Sequence, residues 1–236
     1  MKYHIFSNIN DFDKYGLKIN GYLTLLSTLG FEHLKKTDQG IGVLIKDRYA
    51  WVIISMKIKI LKPILEPVEI YGSTWYSGRR GPYFRREYEL ANKNYHVVAS
   101  SYSILLDLET RSVFRNKKLP FNELEEVSKH LVSLVANYRE EVNLTKTMTR
   151  TVYNSYIDVL GHTNHLRYLE FIYDSLNEDE IKEVNNYNTL ELFFQSEMLL
   201  GDEFSVNKGY HNNQLVFVLY NETKGEKAFT LVLSNE

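Results

Sequence analysis

Tyr156-Ile157-Asp158-Val159-Leu160-Gly161-His162-Thr163-Asn164-His165-Leu166-Arg167-Tyr168 sets an acid four residues before a histidine. A glycine adjoins the histidine and a Thr-Asn pair follows it. Leu166, Leu169, Ile172, Tyr173 and Leu176 then recur at helical spacing, which predicts a helix over 164–176. An acid and an imidazole therefore stand at the mouth of a helix. Helix N-termini carry free N–H groups and partial positive charge, which suit a developing oxyanion. Downstream, Phe193-Phe194-Gln195-Ser196-Glu197-Met198 ends an apolar run on a carboxylate. Together these two stretches point to a hydrolytic site.

Working outward, Tyr153 to Asp158 reads as a strand before the helix, and 190–198, 203–206, 214–220 and 228–233 as strands after it. The first half follows the same plan. Leu25, Leu26, Leu29, Phe31 and Leu34 stripe a helix over 23–34. Strands follow over 50–60, with Lys57 and Lys59 alternating outward, and over 68–75, 82–90 and 96–108. Asn20-Gly21-Tyr22 mirrors Leu160-Gly161-His162, and Pro67-Val68-Glu69-Ile70 mirrors Glu203-Phe204-Ser205-Val206, a weak duplication of long period. Between the halves, Leu124, Val127, Leu131, Leu134 and Val135 repeat at helical spacing, with Glu123, Glu125 and Glu126 leading and Lys129 following, which predicts a linker helix. The expected fold class is α+β: a double hotdog, two tandem antiparallel sheets each wrapping a long helix. The expected divisions are 1–115, a linker over 116–146, and 147–236.

Composition narrows the function classes. The 236 residues suffice for a substantial core, and the 44% hydrophobic, 25% charged balance is that of a globular protein. A net charge of −2 argues against a nucleic-acid coat. With no cysteine, thiolate nucleophiles and Cys-based metal sites are excluded. Residues 1–7 have no sustained apolar core, so no signal peptide is read, and no apolar run approaches the ~20 residues that span a bilayer. A cytoplasmic protein is expected.

The chain resembles the acyl-acyl-carrier-protein (acyl-ACP) thioesterases. The family's Asp-x-Asn-x-His-x-Asn-Asn motif is matched by Asp158-Val-Leu160-Gly-His162-Thr-Asn164-His165, and its acid before a Gly-Asp turn by Glu197-Met-Leu-Leu-Gly201-Asp202. Trp51-Val52, Thr74-Trp75, Arg85-Arg86-Glu87-Tyr88 and Asp107-x-x-Thr110-Arg111 extend the likeness over nearly the whole chain. The resemblance implies a double hotdog that hydrolyses the thioester of fatty acyl-ACP, with the acyl tunnel in the first unit and the catalytic residues in the second. The chain departs from the motif at Leu160, where an amide that could hold water or the thioester oxygen is lost. Removing one oxyanion donor costs about 10²–10³ in rate. His165 replaces a second motif asparagine.

For the chemistry, Asp158, His162 and Glu197 are the expected catalytic residues, with Glu197 as base on water, His162 sharing the proton and Asp158 orienting. Gly161, Thr163 and Asn164 are expected at the substrate and oxyanion. No Gly-x-Ser-x-Gly elbow is present, which argues against a covalent route. Taken singly, Asn164 reads as a helix cap and His165 as a solvated or packing residue. Asp158, His162 and His165 lack a clear third-ligand pattern for a metal, and no cofactor is expected. Arg79, Arg80, Arg85 and Arg86 form the most basic stretch, either a solvated hairpin or a docking patch for acyl carrier protein and its phosphate. Hotdog hydratases space their acid and histidine by five, which Asp158 and His162 do not. An acyl-CoA thioesterase and a catalytically weakened acyl-binding protein are the competing readings. A monomer or weak homodimer is expected, because a doubled unit satisfies its own pairing.

Overall fold

A computed structural model describes residues 2–37, 39–122 and 125–236. The first half runs β1 (Lys2–Phe6), β2 (Phe12–Asp13), β3 (Gly16–Leu17), α1 (Ile19–Leu34), α2 (Ile41–Lys46), β4 (Tyr49–Lys62), β5 (Glu69–Arg80), β6 (Tyr83–Ala91), β7 (His96–Asp107) and β8 (Ser112–Val113). The second runs β9 (Thr145–Thr151), α3 (Arg167–Asp174), α4 (Glu178–Val184), β10 (Thr189–Phe194), β11 (Glu203–His211), β12 (Gln214–Asn221) and β13 (Glu226–Ser234). One antiparallel sheet holds the order β1-β5-β6-β7-β4-β10-β13-β12-β11-β9, with β8 added on β7. Each half repeats strand, helix, four strands with matching neighbours, and the halves join where β4 pairs β10, Met56 opposite Leu192. Glu69 and Glu203 each begin the corresponding strand, two residues out of step with the sequence duplication, which sets Glu203 against Pro67.

The core follows from periodicity. On α1, Tyr22, Leu23, Leu25, Leu26 and Leu29 are buried against strand residues Met56, Ile58, Tyr88 and Leu90. On α3, Tyr168, Leu169, Phe171 and Ile172 do the same against Phe204, Phe217 and Phe229. Fully burying such a side chain is worth about 1.5–3 kcal/mol, which makes these two helix–sheet layers the main source of stability.

Four expectations are corrected. No helix occupies residues 125–144, and Glu123 and Leu124 lie outside the described residues. The segment is an extended strap across the outer face of the sheet. Its backbone is satisfied by sheet groups: Leu131 N–H donates to Glu87 Oε2 (2.9 Å), Val135 O accepts from Ser55 Oγ (2.8 Å), and Val127 N–H donates to Tyr76 O (3.0 Å). Val127 and Val135 are exposed, so the helical spacing has no apolar face to bury. Lys57 does not reach solvent; under the strap and the chain end it pairs with Glu236 (2.7 Å) and Glu191 (3.4 Å). Residues 154–156 form a 3₁₀ turn, and the strand lies earlier, in the polar and mostly exposed Thr145–Thr151, an edge strand without apolar alternation. Gly21 sits inside the first turn of α1, whereas Gly161 lies ahead of α3 at φ +80°, so those two glycines are not equivalent.

Candidate active site

The loop over 158–162 closes on itself. Asp158 N–H donates to His162 O (2.9 Å), Gly161 N–H donates to Asp158 O (3.0 Å), and Leu160 N–H donates to Asp158 Oδ1 (2.8 Å). The left-handed conformation of Gly161 is what this turn requires. Thr163 then clamps the loop to the end of the second-half sheet, because both its N–H (2.8 Å) and its Oγ1 (3.0 Å) donate to Met198 O. On the other side of the clamp, Gln195 and Ser196 both donate to Ala228 O and turn the chain off β10. The two turns bring His162 Nε2 to 3.1 Å from Glu197 Oε2.

Arg111 completes this cluster. Its Nη2 donates to both Glu197 oxygens, at 2.9 and 2.7 Å, and lies 3.2 Å from His162 Nε2. Sequence reasoning quoted Arg111 only within a pattern and gave it no role. The pattern is a turn: Asp107 Oδ1 accepts the N–H groups of Glu109 and Thr110, both at 3.1 Å, and Arg48 pairs with Asp107 at 3.0 Å. The Thr110 and then the Glu109 N–H, with Arg48, hold the Asp107 carboxyl below the usual carboxylate range. That turn presents Arg111, at φ +54°, to Glu197.

A cavity of about 460 Å³ opens beside the loop. Phe31, Leu34, Trp51, Ile53, Met56 and Phe84 give it apolar walls from α1, β4 and β6, all in the first half. From the second half, Asp158, Leu160, Asn164 and His165 border it. Asn164 Oδ1 is held by Leu166 N–H (3.0 Å), and its Nδ2 makes no hydrogen bond among the described residues. The amide is thereby oriented with two donors to spare at the cavity. His165 Nε2 meets Ser27 Oγ of α1 at 3.0 Å, across the two halves. Burial holds the His165 imidazole down at about 4, although Asp158 opposes this, so His165 is a neutral packing residue at neutral pH.

The structure thus divides the expected site residues. Asp158 and Asn164 border the cavity. His162 and Glu197 pair beside it, and the Asp158 carboxylate makes no hydrogen bond or ion pair with the His162 ring among the described residues. Gly161, Thr163 and Asn164 spend their N–H groups within the loop, on Asp158, Met198 and Tyr156 (2.8 Å), so these amides are not oxyanion donors. His162 and His165 turn to different partners and do not converge as metal ligands. Of the arginines, Arg80 is exposed and Arg79 lies over Phe84 (4.7 Å to the ring centre). Arg85 is no docking group, because it is tucked under the strap on Glu87 (2.6 Å) and Val132 O (2.5 Å). Arg86 is not one either; it borders the cavity and reaches His33 Nδ1 at 2.6 Å. Strand alternation sends these two neighbours to opposite faces, both away from the surface.

A broad antiparallel sheet wrapped on few helices, with a cavity beside α1, is a hotdog-type fold. The family described as acyl-ACP thioesterase N-terminal domain matches residues 1–118, and the chain belongs to this acyl-ACP thioesterase family. Among solved structures, an acyl-ACP thioesterase from Bacteroides thetaiotaomicron is similar at 19% identity, covering 100% of this chain and 97% of that one, with a TM-score of 0.80. A 12:0-ACP thioesterase from Umbellularia californica is similar at 12% identity, covering 99% and 96%, with a TM-score of 0.77. At these identities the likeness speaks to the fold. No curated protein matches the chain. No helix among the described residues is long and apolar enough to cross a membrane.

Proposed function

We infer that this thioesterase hydrolyses the thioester of fatty acyl-ACP, releasing free fatty acid and ending chain elongation. The observation that carries the reading is the cavity itself, with apolar walls in the first half and Asp158 and Asn164 of the second half at its border. The division of the chain into two hotdog units, 1–115 for the acyl chain and 147–236 for catalysis with 116–146 joining them, is part of this proposal. It is supported by the recurrence of one strand order in both halves.

Hydrolysis needs an activated water, a donor at the carbonyl oxygen and a proton for the departing thiol. Asp158 is the general base: one carboxylate oxygen is fixed by Leu160 N–H, and the side chain borders the cavity. This revises the expectation for Glu197, whose two oxygens are both engaged by Arg111. Asn164 Nδ2 donates to the developing oxyanion and stands in for the amide missing at Leu160. His162, positioned by Glu197 Oε2 at 3.1 Å, is the donor of the proton that the departing thiolate needs. Gly161 and Thr163 hold the loop geometry. Arg79 and Arg80 remain as candidates for carrier docking. The protein is proposed to act in the cytoplasm as a monomer or weak dimer.

The test is fatty acid release from acyl-ACPs of several chain lengths, with acyl-CoAs alongside and Glu197→Ala and Asp158→Asn as controls. Release that prefers the carrier and collapses in both variants supports the reading. Equal use of acyl-CoA would move the substrate class. Tight acyl-ACP binding without release would make the chain an acyl-binding protein, with Leu160 as the reason.

A further inference from the structure

Arg86 is a cation without a counter-ion on the wall of an otherwise largely apolar cavity. Its Nη1 reaches His33 Nδ1 (2.6 Å) and, at 3.5 Å, Thr74 Oγ1. Its Nε and Nη2 make no hydrogen bond among the described residues. The nearby carboxylates are committed elsewhere: Glu32 to Lys35 (2.7 Å), and Glu87 to Arg85 (2.6 Å) on the other face of β6. Burial and then the Arg86 cation hold His33 down at about 4, so His33 accepts from Arg86 as a neutral ring and adds no charge to cancel. The other polar neighbours are hydroxyls, those of Thr74, Tyr3 and the Tyr88–Ser101 pair (3.2 Å). Arg86 is only partly exposed, and a half-buried guanidinium without a counter-charge is costly, whereas an apolar residue of similar length would line a tunnel for plain alkyl chains at no such cost.

His33 lies six residues beyond Ser27 on α1, which at 1.5 Å per residue sets the Arg86 contact about 9 Å along the helix from the Ser27–His165 contact at the cavity border. A chain whose thioester rests at Asp158 and Asn164 would reach Arg86 with its distal portion. The free Nε–Nη2 edge is the planar fork that matches a carboxylate with two hydrogen bonds.

We propose that Arg86 is a specificity residue for acyl chains carrying an oxygen acceptor on their distal part, a carboxylate in preference to a hydroxyl. This rests on the thioesterase reading and sharpens it by naming the substrate class.

The experiment compares three acyl-ACPs of one chain length, ending in methyl, hydroxyl and carboxylate, on the wild-type protein, Arg86→Met and Arg86→Lys. The expected wild-type kcat/KM favours the carboxylate over the methyl end by about tenfold or more, with the hydroxyl between. The ratio falls toward one in Arg86→Met and is partly kept in Arg86→Lys, which retains the charge but not the fork. A wild type that favours the methyl end, or a ratio unchanged in Arg86→Met, would overturn the proposal and leave Arg86 a hydrated wall residue. Thermal-shift titration of the wild type with the same three acyl groups as pantetheine thioesters needs neither folding of a variant nor turnover. A larger shift with the carboxylate end supports the subsite even if nothing is hydrolysed, and equal shifts overturn it even if everything is.

Discussion

The two halves share one topology and use it in opposite ways. In the first, α1 runs sixteen residues and presents Ser27, Thr28 and Gly30 to a cavity. In the second, α3 runs eight residues, and its aromatic side chains close the same space. Phe171 packs on Phe204 (ring centres 4.6 Å apart) and Tyr168 on Phe229 (5.4 Å), with Phe194 against Phe229 (4.9 Å). Small residues on α1 leave a cavity open against the sheet, and large ones on α3 fill the corresponding space. The half that gives up the cavity is free to stiffen the loop ahead of its helix, and that loop carries the polar groups. Helix length and side-chain volume together decide which copy of the fold keeps an open cavity.

Substitutions in either half test this contrast. The largest expected effect is at the loop. Asp158→Asn should lower kcat by about 10²–10⁴ with KM little changed, because only the activated water is lost; steady-state kinetics on one acyl-ACP would show this, and a change confined to KM would move Asp158 out of the chemistry. Next is the closed half, where Phe171→Ala empties a filled core. It should cost about 3–5 kcal/mol by denaturant unfolding while leaving the order of chain-length preference as it was. Leu160→Asn restores an amide beside Asp158 and should raise kcat, by about tenfold; no gain would mean that Asn164 already supplies what the reaction needs.

The smallest effect is on pH. His33 and His165 are both held down at about 4 in the folded protein, against the usual imidazole value in the unfolded chain. The unfolded state therefore binds more protons as the pH falls below about 6.5, and stability is lost progressively until about pH 4. Melting temperature followed over that range should decline, and His165→Asn should flatten part of the slope. An unchanged slope would mean that His165 is not buried as a neutral ring.

The helix–sheet layers were legible in the sequence because their signal is local. The stripe of Leu25, Leu26 and Leu29 and the alternation through Met56 and Ile58 each name a buried face without reference to a partner. His162 and Glu197, expected from the sequence to share one site, do stand 3.1 Å apart. What failed depended on distant partners. The strap read as a helix because its spacing is helical, yet Glu87, Tyr76 and Ser55 decide where its backbone bonds go. Arg85 and Arg86 read as surface charge because neither Glu87 beneath the strap nor His33 on α1 announces itself in a basic stretch. Arg111 had a signal in the Asp107 turn, but its partner lies 86 residues away.

The most direct test is the chain-length profile of Gly30→Phe. A Cβ at Gly30 would already lie 3.4 Å from the Tyr88 ring, so a benzyl group must occupy the cavity. Release from the longest acyl-ACPs should fall by about tenfold or more relative to the shortest, moving the optimum to shorter chains. A profile of unchanged shape in a folded variant would contradict the placement of the acyl chain in the first half.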